Sequence, residues 1–207
     1  MGKYCQHNEE EILNRIFAKY NIKNGFLLDL GAGDGKTLSN TQLYLEQGWT
    51  GLRIDGNNHG NQEVKQEFLT VENLSKVLAK YNCPAEVDFA SIDLDGNDYW
   101  FWLTLPMKPK VVCIEYNPAL PPMQKWIMRY NPKHIWKNND YYGYSYAAGL
   151  GLAEEKGYVL VDQNAINLFF VRKDLNATPN TNLTVPTERV SHHKHSGIKL
   201  EEGYIRL

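Results

Sequence analysis

The chain has 207 residues, a net charge of −2 and 43% hydrophobic residues. That is enough apolar material for one sizeable core; it leaves little room for a second domain and excludes wholesale disorder. The balance of 22 Lys and Arg against 24 Asp and Glu gives no global basic field for non-specific nucleic-acid binding, although a local patch is compatible with it. Apolar runs of about five or six residues are far short of a membrane span, and the polar, acidic start has no secretory h-region. Cys5, Cys83 and Cys113 are odd in number and scattered, as expected of reduced thiols. The expectation is a soluble cytoplasmic domain without membrane partners, in which the sequons at Asn176 and Asn182 carry no meaning.

In chain order, Asn8 with Glu11 reads as a reciprocal N-cap. Ile12, Leu13, Ile16, Phe17 and Tyr20 recur at helical spacing up to a stop at Asn24-Gly25. Residues 26–30 form an apolar run ending in glycines, the pattern of a buried strand. A helix over 38–47 closed by Gly48 and a strand over 51–55 follow. Thr70 caps a helix whose stripe is Val71, Leu74, Val77, Leu78 and Tyr81. Strands are predicted over 87–93 and 110–116, with a short helix over 98–105 between them. The stretch 117–144 reads as irregular. A helix over 146–156 stops at Gly157, and β-rich runs over 158–162 and 166–172 are close enough to be an antiparallel hairpin. Strands alternating with helices imply an α/β domain: a mostly parallel sheet covered by helices on both faces. A terminal hairpin on such a sheet is the pattern of the Rossmann-like class I methyltransferase fold, a seven-stranded sheet with an antiparallel C-terminal hairpin.

The sharpest local signal is Asp29-Leu30-Gly31-Ala32-Gly33-Asp34-Gly35, placed after a strand and before a helix. Glycines there permit φ > 0 and close approach of a ligand to the backbone. The spacing is not that of a dinucleotide fingerprint, whose third glycine would fall at Lys36. An acid two residues ahead of alternating glycines is the form associated with S-adenosylmethionine. Asp55 ends the next strand, where a carboxylate can accept both ribose hydroxyls.

Asp93, Asp95 and Asp98 follow the third strand, and Glu115 and Asn117 the fourth. Ligands of open α/β sheets lie outside the carboxyl ends of the strands, so these groups should face one crevice. Clustered carboxylates call for a positive group between them. The cofactor is one choice; a divalent cation such as Mg²⁺ held by Asp93, Asp95, Glu115 and Asn117 is the other. Asp95 and Glu115 are equally candidates for acid–base work without a metal. Between 118 and 146, Lys125, Arg129, Lys133, Lys137 and His134 are interleaved with aromatics against the single acid Asp140. This composition suits a sugar, or an anionic or base-bearing acceptor. His134 is the only histidine this reading brings near the crevice. His192-His193-Lys194-His195 is spaced too tightly for a closed metal site and reads as a solvated segment.

The runs F-L-L-D-L-G-A-G-D-G-K-T-L-S-N-T, G-W-T-G-L-R-I-D-G-N, S-I-D-L-D-G-N-D-Y-W and I-E-Y-N-P-A-L-P-P, with the later N-L-F-F-V-R-K-D-L, resemble the FkbM-type methyltransferase family, in particular a bacterial and viral branch. The resemblance implies S-adenosylmethionine and O-methylation, often of sugar hydroxyls. It carries Asp29, Gly31, Ala32, Gly33, Asp55 and Asp93 over as cofactor-site residues, with Asp34, Ser39, Gly56 and Leu94 beside them. It also implies one methyltransferase-like domain over 1–175, with an aromatic and basic insertion at about 118–146, and a polar tail over 176–207. The expected activity is therefore an S-adenosylmethionine-dependent O-methyltransferase acting on a sugar, glycan or other small-molecule hydroxyl, with Asp95, Glu115 and His134 as catalytic candidates. The alternatives are a non-catalytic cofactor- or nucleoside-binding module, and a nucleic-acid or cap-like methyltransferase.

Overall fold

The structure, a computed structural model, describes residues 2–191 and 199–207; His192, His193, Lys194 and His195 lie outside them. Helix α1 (Glu9–Lys19) buries Ile12, Leu13, Ile16 and Phe17 on one stripe. It ends earlier than the sequence predicts, because Asn21 turns left-handed at φ 52. The expected reciprocal cap is absent: the Asn8 side chain makes no cap bond, and Glu11 pairs with Arg15 one turn on. Glu9 and Glu10 instead accept from the amides of His7, Lys3 and Tyr4, fastening the N-terminal segment to the helix.

Seven strands form one sheet. β1 (Phe26–Leu30) lies between β2 (Thr50–Asp55) and β4 (Phe89–Ile92), with β3 (Val64–Gln66) outside β2 and β5 (Val111–Glu115) beyond β4, all parallel. The hairpin of β7 (Tyr158–Gln163) and β8 (Asn167–Arg172) then adds antiparallel, β8 against β5. Side-chain alternation divides the core in two. Val112 and Ile114 of β5, with Leu168 and Phe170 of β8, face α3 (Leu74–Lys80), α4 (Asp98–Thr104) and α5 (Tyr146–Lys156). Val111, Cys113, Phe169 and Val171 face α1 and the Tyr44 of α2 (Gln42–Glu46). Strands buried on both faces need helices on both. The order β3-β2-β1-β4-β5-β8-β7 is that of the Rossmann-like class I methyltransferase fold, as the alternating pattern and the late hairpin predict.

Two helices are shorter than their sequence patterns. α2 begins only at Gln42 because Leu38 is left-handed (φ 56) and Ser39 Oγ accepts from the amides of Thr41 and Gln42. α3 begins at Leu74, one turn late, after Thr70 and Asn73 have exchanged reciprocal side-chain-to-amide bonds. α5 matches its expected bounds: Ser145 Oγ accepts from Ala148 N, and Gly157 closes the helix at φ 84.

The segment read as irregular holds a short strand, β6 (Trp126–Met128). It pairs antiparallel with β9 (Tyr204–Arg206), from the tail that received no predicted element. Helix α6 (Leu200–Gly203) leads into β9. Among the described residues no helix is long and apolar enough to cross a membrane.

Candidate functional site

The glycine turn after β1 is fixed from behind. The amides of Gly31 and Ala32 both donate to the Ile54 carbonyl of β2. Gly31 has φ +90, and a Cβ there would stand 1.6 Å from the Asp93 carbonyl oxygen, so only glycine lets the ends of β1 and β4 come together. Gly33, at φ +54, has nothing within 4 Å of its Cβ position and leaves its backbone open to the cleft. The Gly33 amide donates to Asp55 Oδ2 (2.8 Å), while Asp55 Oδ1 accepts from Asn57 N. Arg53, buried in β2, holds the turn's far side by donating to the Gly35 carbonyl (2.6 Å), Gln42 and Glu63. Sequence reasoning passed over Arg53, although a charge in an otherwise apolar buried strand is a signal that something must pair with it.

A cavity of about 620 Å³ opens over this turn, within the size range of small-molecule sites. Of the sequence-derived residues, Gly31, Gly33, Asp55, Gly56, Asp93, Leu94, Asp95, Glu115 and His134 line it. Asp29, Ala32, Asp34 and Ser39 are not among its lining residues. Asp29 is buried and accepts from Thr41 Oγ1, and Ser39 organises the approach to α2. Asp34 accepts from the amides of Lys36 and Thr37, and the Ala32 carbonyl closes the turn by accepting from Gly35 N. Asn117, expected as a cation ligand, is also elsewhere: it is fully buried, its Nδ2 donates to the carbonyls of Asp140 and Tyr142, and its Oδ1 accepts from Ala119 N. A second histidine, His7, lines the cavity, correcting the expectation that His134 is alone. The fold carries His7 there on the segment that Glu9 and Glu10 hold, a long-range placement that local pattern does not reveal.

Asp93, Asp95 and Glu115 bring carboxylate oxygens within 4.8 Å of one another. Burial pushes the carboxyls of Asp93 and Glu115 well above their ordinary values, and repulsion from neighbouring acids adds to it. Glu115 Oε2 is buried without a hydrogen-bond partner among the described residues. Asp95 sits in left-handed backbone at φ 52, a conformation that concentrates at functional sites. Asp98 shapes this turn by accepting from the amides of Leu94 and Gly96; burial raises its pKa to about 6. Burial likewise raises Asp29 to about 6.

The insertion is folded down over the acids. Asn97 and Asn131 exchange bonds, Trp100 Nε1 donates to the Met128 carbonyl, and Gly143 N donates to the Gly96 carbonyl. His134 Nε2 lies 3.1 Å from the Asp95 carbonyl oxygen. A carbonyl only accepts, so Nε2 carries the proton and Nδ1 is the basic nitrogen. Burial lowers the His134 pKa, which keeps the ring neutral at pH 7. His134, Ile135, Trp136 and Tyr142 line the cavity from this side, whereas Lys125, Arg129, Lys133 and Lys137 are not among its lining residues.

No protein-family model matches the sequence, and no curated protein does. Several solved structures share the layout of the chain. The Burkholderia thailandensis 1,6-didemethyltoxoflavin-N1-methyltransferase, solved with 1,6-didemethyltoxoflavin and S-adenosylhomocysteine, is 13% identical with a TM-score of 0.49, over 81% of this chain and 79% of that one. The N-terminal domain of EvdMO1, in the presence of S-adenosylhomocysteine and D-fucose, is 12% identical with a TM-score of 0.48, over 81% and 83%. A protein from Lactococcus lactis classed as a candidate hemolysin is 14% identical with a TM-score of 0.46, over 83% and 90%. At these scores the fold assignment rests on the strand order of the chain itself.

Proposed function

We propose that the chain is an S-adenosylmethionine-dependent O-methyltransferase of the FkbM type, acting on a hydroxyl of a sugar, glycan or other small molecule. The observation that carries this reading is the open Gly33 backbone beside an Asp55 carboxylate, in the same cavity as the acids after β4 and β5. The absence of a Cβ at Gly33 and the strand-end carboxylate fit the cofactor's amino-acid and ribose groups. Gly31, Gly33, Asp55, Gly56, Asp93 and Leu94 would hold it. Bound there, the cofactor supplies an electrophilic methyl group. The chain's contribution is mainly proximity and orientation. His134 Nδ1 or the Asp95 carboxylate would take the acceptor's proton. A divalent cation is a further proposal: Asp93, Asp95 and Glu115 would hold it, and it would lower the pKa of an acceptor hydroxyl.

The test is transfer of labelled methyl from S-adenosylmethionine to a panel of hydroxyl acceptors, with and without Mg²⁺. Asp95→Ala is expected to leave cofactor affinity unchanged and to lower transfer by about 10²-fold or more, the scale of a general base. Normal transfer by Asp95→Ala would remove it from the mechanism. Bound cofactor with no transfer across the panel would replace the reading with that of a binding module.

A further inference from the structure

The cavity spans two halves of the sheet's carboxyl edge. Gly31, Gly33, Asp55 and Gly56 line it after β1 and β2, the half that the cofactor reading uses. Glu115 and Ile166 line it beside β5 and β8, where Glu115 pairs across the strands with Asn167. A further wall comes from neither the strand ends nor the insertion. Gln6 and His7, in the segment ahead of α1, also line the cavity. That segment belongs to no helix or strand, and two buried carboxylates seat it. Glu9 and Glu10 are 0% and 6% exposed. Glu9 Oε2 accepts from the His7 amide at 2.7 Å, and Glu9 Oε1 accepts from the side chains of Asn164 and Asn167 at 2.8 and 3.1 Å. Glu10 accepts from the amides of Lys3, Tyr4 and Cys5. Burying a carboxylate is costly unless hydrogen bonds meet it. Here the bonds come from this segment and from the two asparagines at the β7–β8 turn, which fixes Gln6 and His7 on the half of the cavity away from Asp55.

The backbone there is held, whereas the side chains of Gln6 and His7 are exposed and make no hydrogen bond or ion pair among the described residues. The Gln6 amide both donates and accepts, and so does an imidazole ring in its neutral form. A hydroxyl does the same, so neighbouring hydroxyls of one molecule can bond to both side chains at once. A ligand with a single hydroxyl can meet only one of them. We infer that Gln6 and His7 bind the acceptor, and that the acceptor is a polyhydroxyl molecule whose unmethylated hydroxyls these two side chains hold. The inference rests on the methyltransferase reading for the word acceptor. Gln6 and His7 set specificity, and the proton of the methylated hydroxyl is left to the groups named above.

The experiment is ligand-observed NMR on the full chain, using methyl glucopyranoside and tetrahydropyran-2-methanol, a ring of the same size with one hydroxyl. It is run with and without saturating S-adenosylhomocysteine. The glucoside is expected to bind about tenfold more tightly than the single alcohol, the scale of one or two net hydrogen bonds. His7→Ala and Gln6→Ala should each weaken glucoside binding about fivefold, with Tm and S-adenosylhomocysteine affinity unchanged. His7→Gln, which keeps a donor and an acceptor, should retain most of the glucoside affinity, a rescue that a merely structural role would not give. His59→Gln, outside the cavity, should bind the glucoside as the wild type does. Equal binding of the two probes, no binding of the glucoside, or unchanged glucoside binding in both alanine variants overturns the inference. So does loss of S-adenosylhomocysteine affinity in those variants, which would put the two side chains on the cofactor. Failure of S-adenosylhomocysteine to bind the wild-type chain would overturn the methyltransferase reading instead, and the glucoside measurements without it would still decide this one.

Discussion

Replacing Gly31 and Gly33 one at a time by alanine separates the two tasks of the glycine turn. At Gly31 the new Cβ meets the Asp93 carbonyl oxygen at 1.6 Å where 3.4 Å is an ordinary contact, a shortfall of 1.8 Å against backbone. The residue must also hold φ +90. The left-handed backbone costs about 1–2 kcal/mol, and forcing packed strand ends apart costs about 1–3 kcal/mol more. For a domain of this size each kcal/mol lowers Tm by roughly 2–4 °C, so a total of about 3 kcal/mol predicts a fall of roughly 6–12 °C. At Gly33 the Cβ meets nothing within 4 Å, and φ +54 lies in the ordinary left-handed region. The cost there is about 1 kcal/mol, roughly 2–4 °C. The same Cβ projects into the open cleft, so Gly33→Ala should lose S-adenosylhomocysteine affinity while remaining folded. Thermal denaturation and calorimetric binding on both variants check this. Equal Tm losses, or wild-type affinity in Gly33→Ala, would refute the division of labour.

Asp29 has a folded pKa raised by burial from 3.8 to about 6. The folded state therefore holds its proton where the unfolded chain has lost it, so this contribution is complete below about pH 4 and is lost as pH rises through about 6. Asp29→Asn, which still accepts from Thr41, should raise Tm at pH 8 and leave it nearly unchanged at pH 4; denaturation at the two pH values measures the difference. Tyr204 is buried, and its hydroxyl accepts from the Tyr142 amide and donates to the Tyr142 carbonyl at 2.9 Å. Tyr204→Phe takes the hydroxyl acceptor from the Tyr142 amide and leaves the Tyr142 carbonyl to Asn117 Nδ2, and should cost about 1–3 kcal/mol. Hydrogen exchange should then quicken over 140–145 with no change in S-adenosylhomocysteine affinity.

Strands and helices with short-range signals were legible in the sequence: the buried run of β1, the Gly157 stop of α5, and the close-spaced β7–β8 hairpin. Helix ends were less so. Left-handed residues at Asn21 and Leu38 and the Thr70–Asn73 exchange cut across apolar stripes that continue past them. β3 is a three-residue edge strand, too short for a periodic pattern. The β6–β9 pairing joins segments more than seventy residues apart and has no local mark. At the site, strand-end acids were legible because topology places all strand ends in one crevice, which is why Asp93, Asp95 and Glu115 meet. Side-chain direction is not fixed by that rule. Asn117 lies only two residues beyond Glu115 yet turns into the loop it supports, and His7 arrives from the opposite end of the chain.

The most direct test of the central claim is a calorimetric titration of the full chain with S-adenosylmethionine and S-adenosylhomocysteine, with NAD as the control and Asp55→Ala as the variant. Saturable binding of the first two, none of NAD, and loss of binding in Asp55→Ala are predicted. Binding of NAD in their place, or binding of neither cofactor form, would contradict the account.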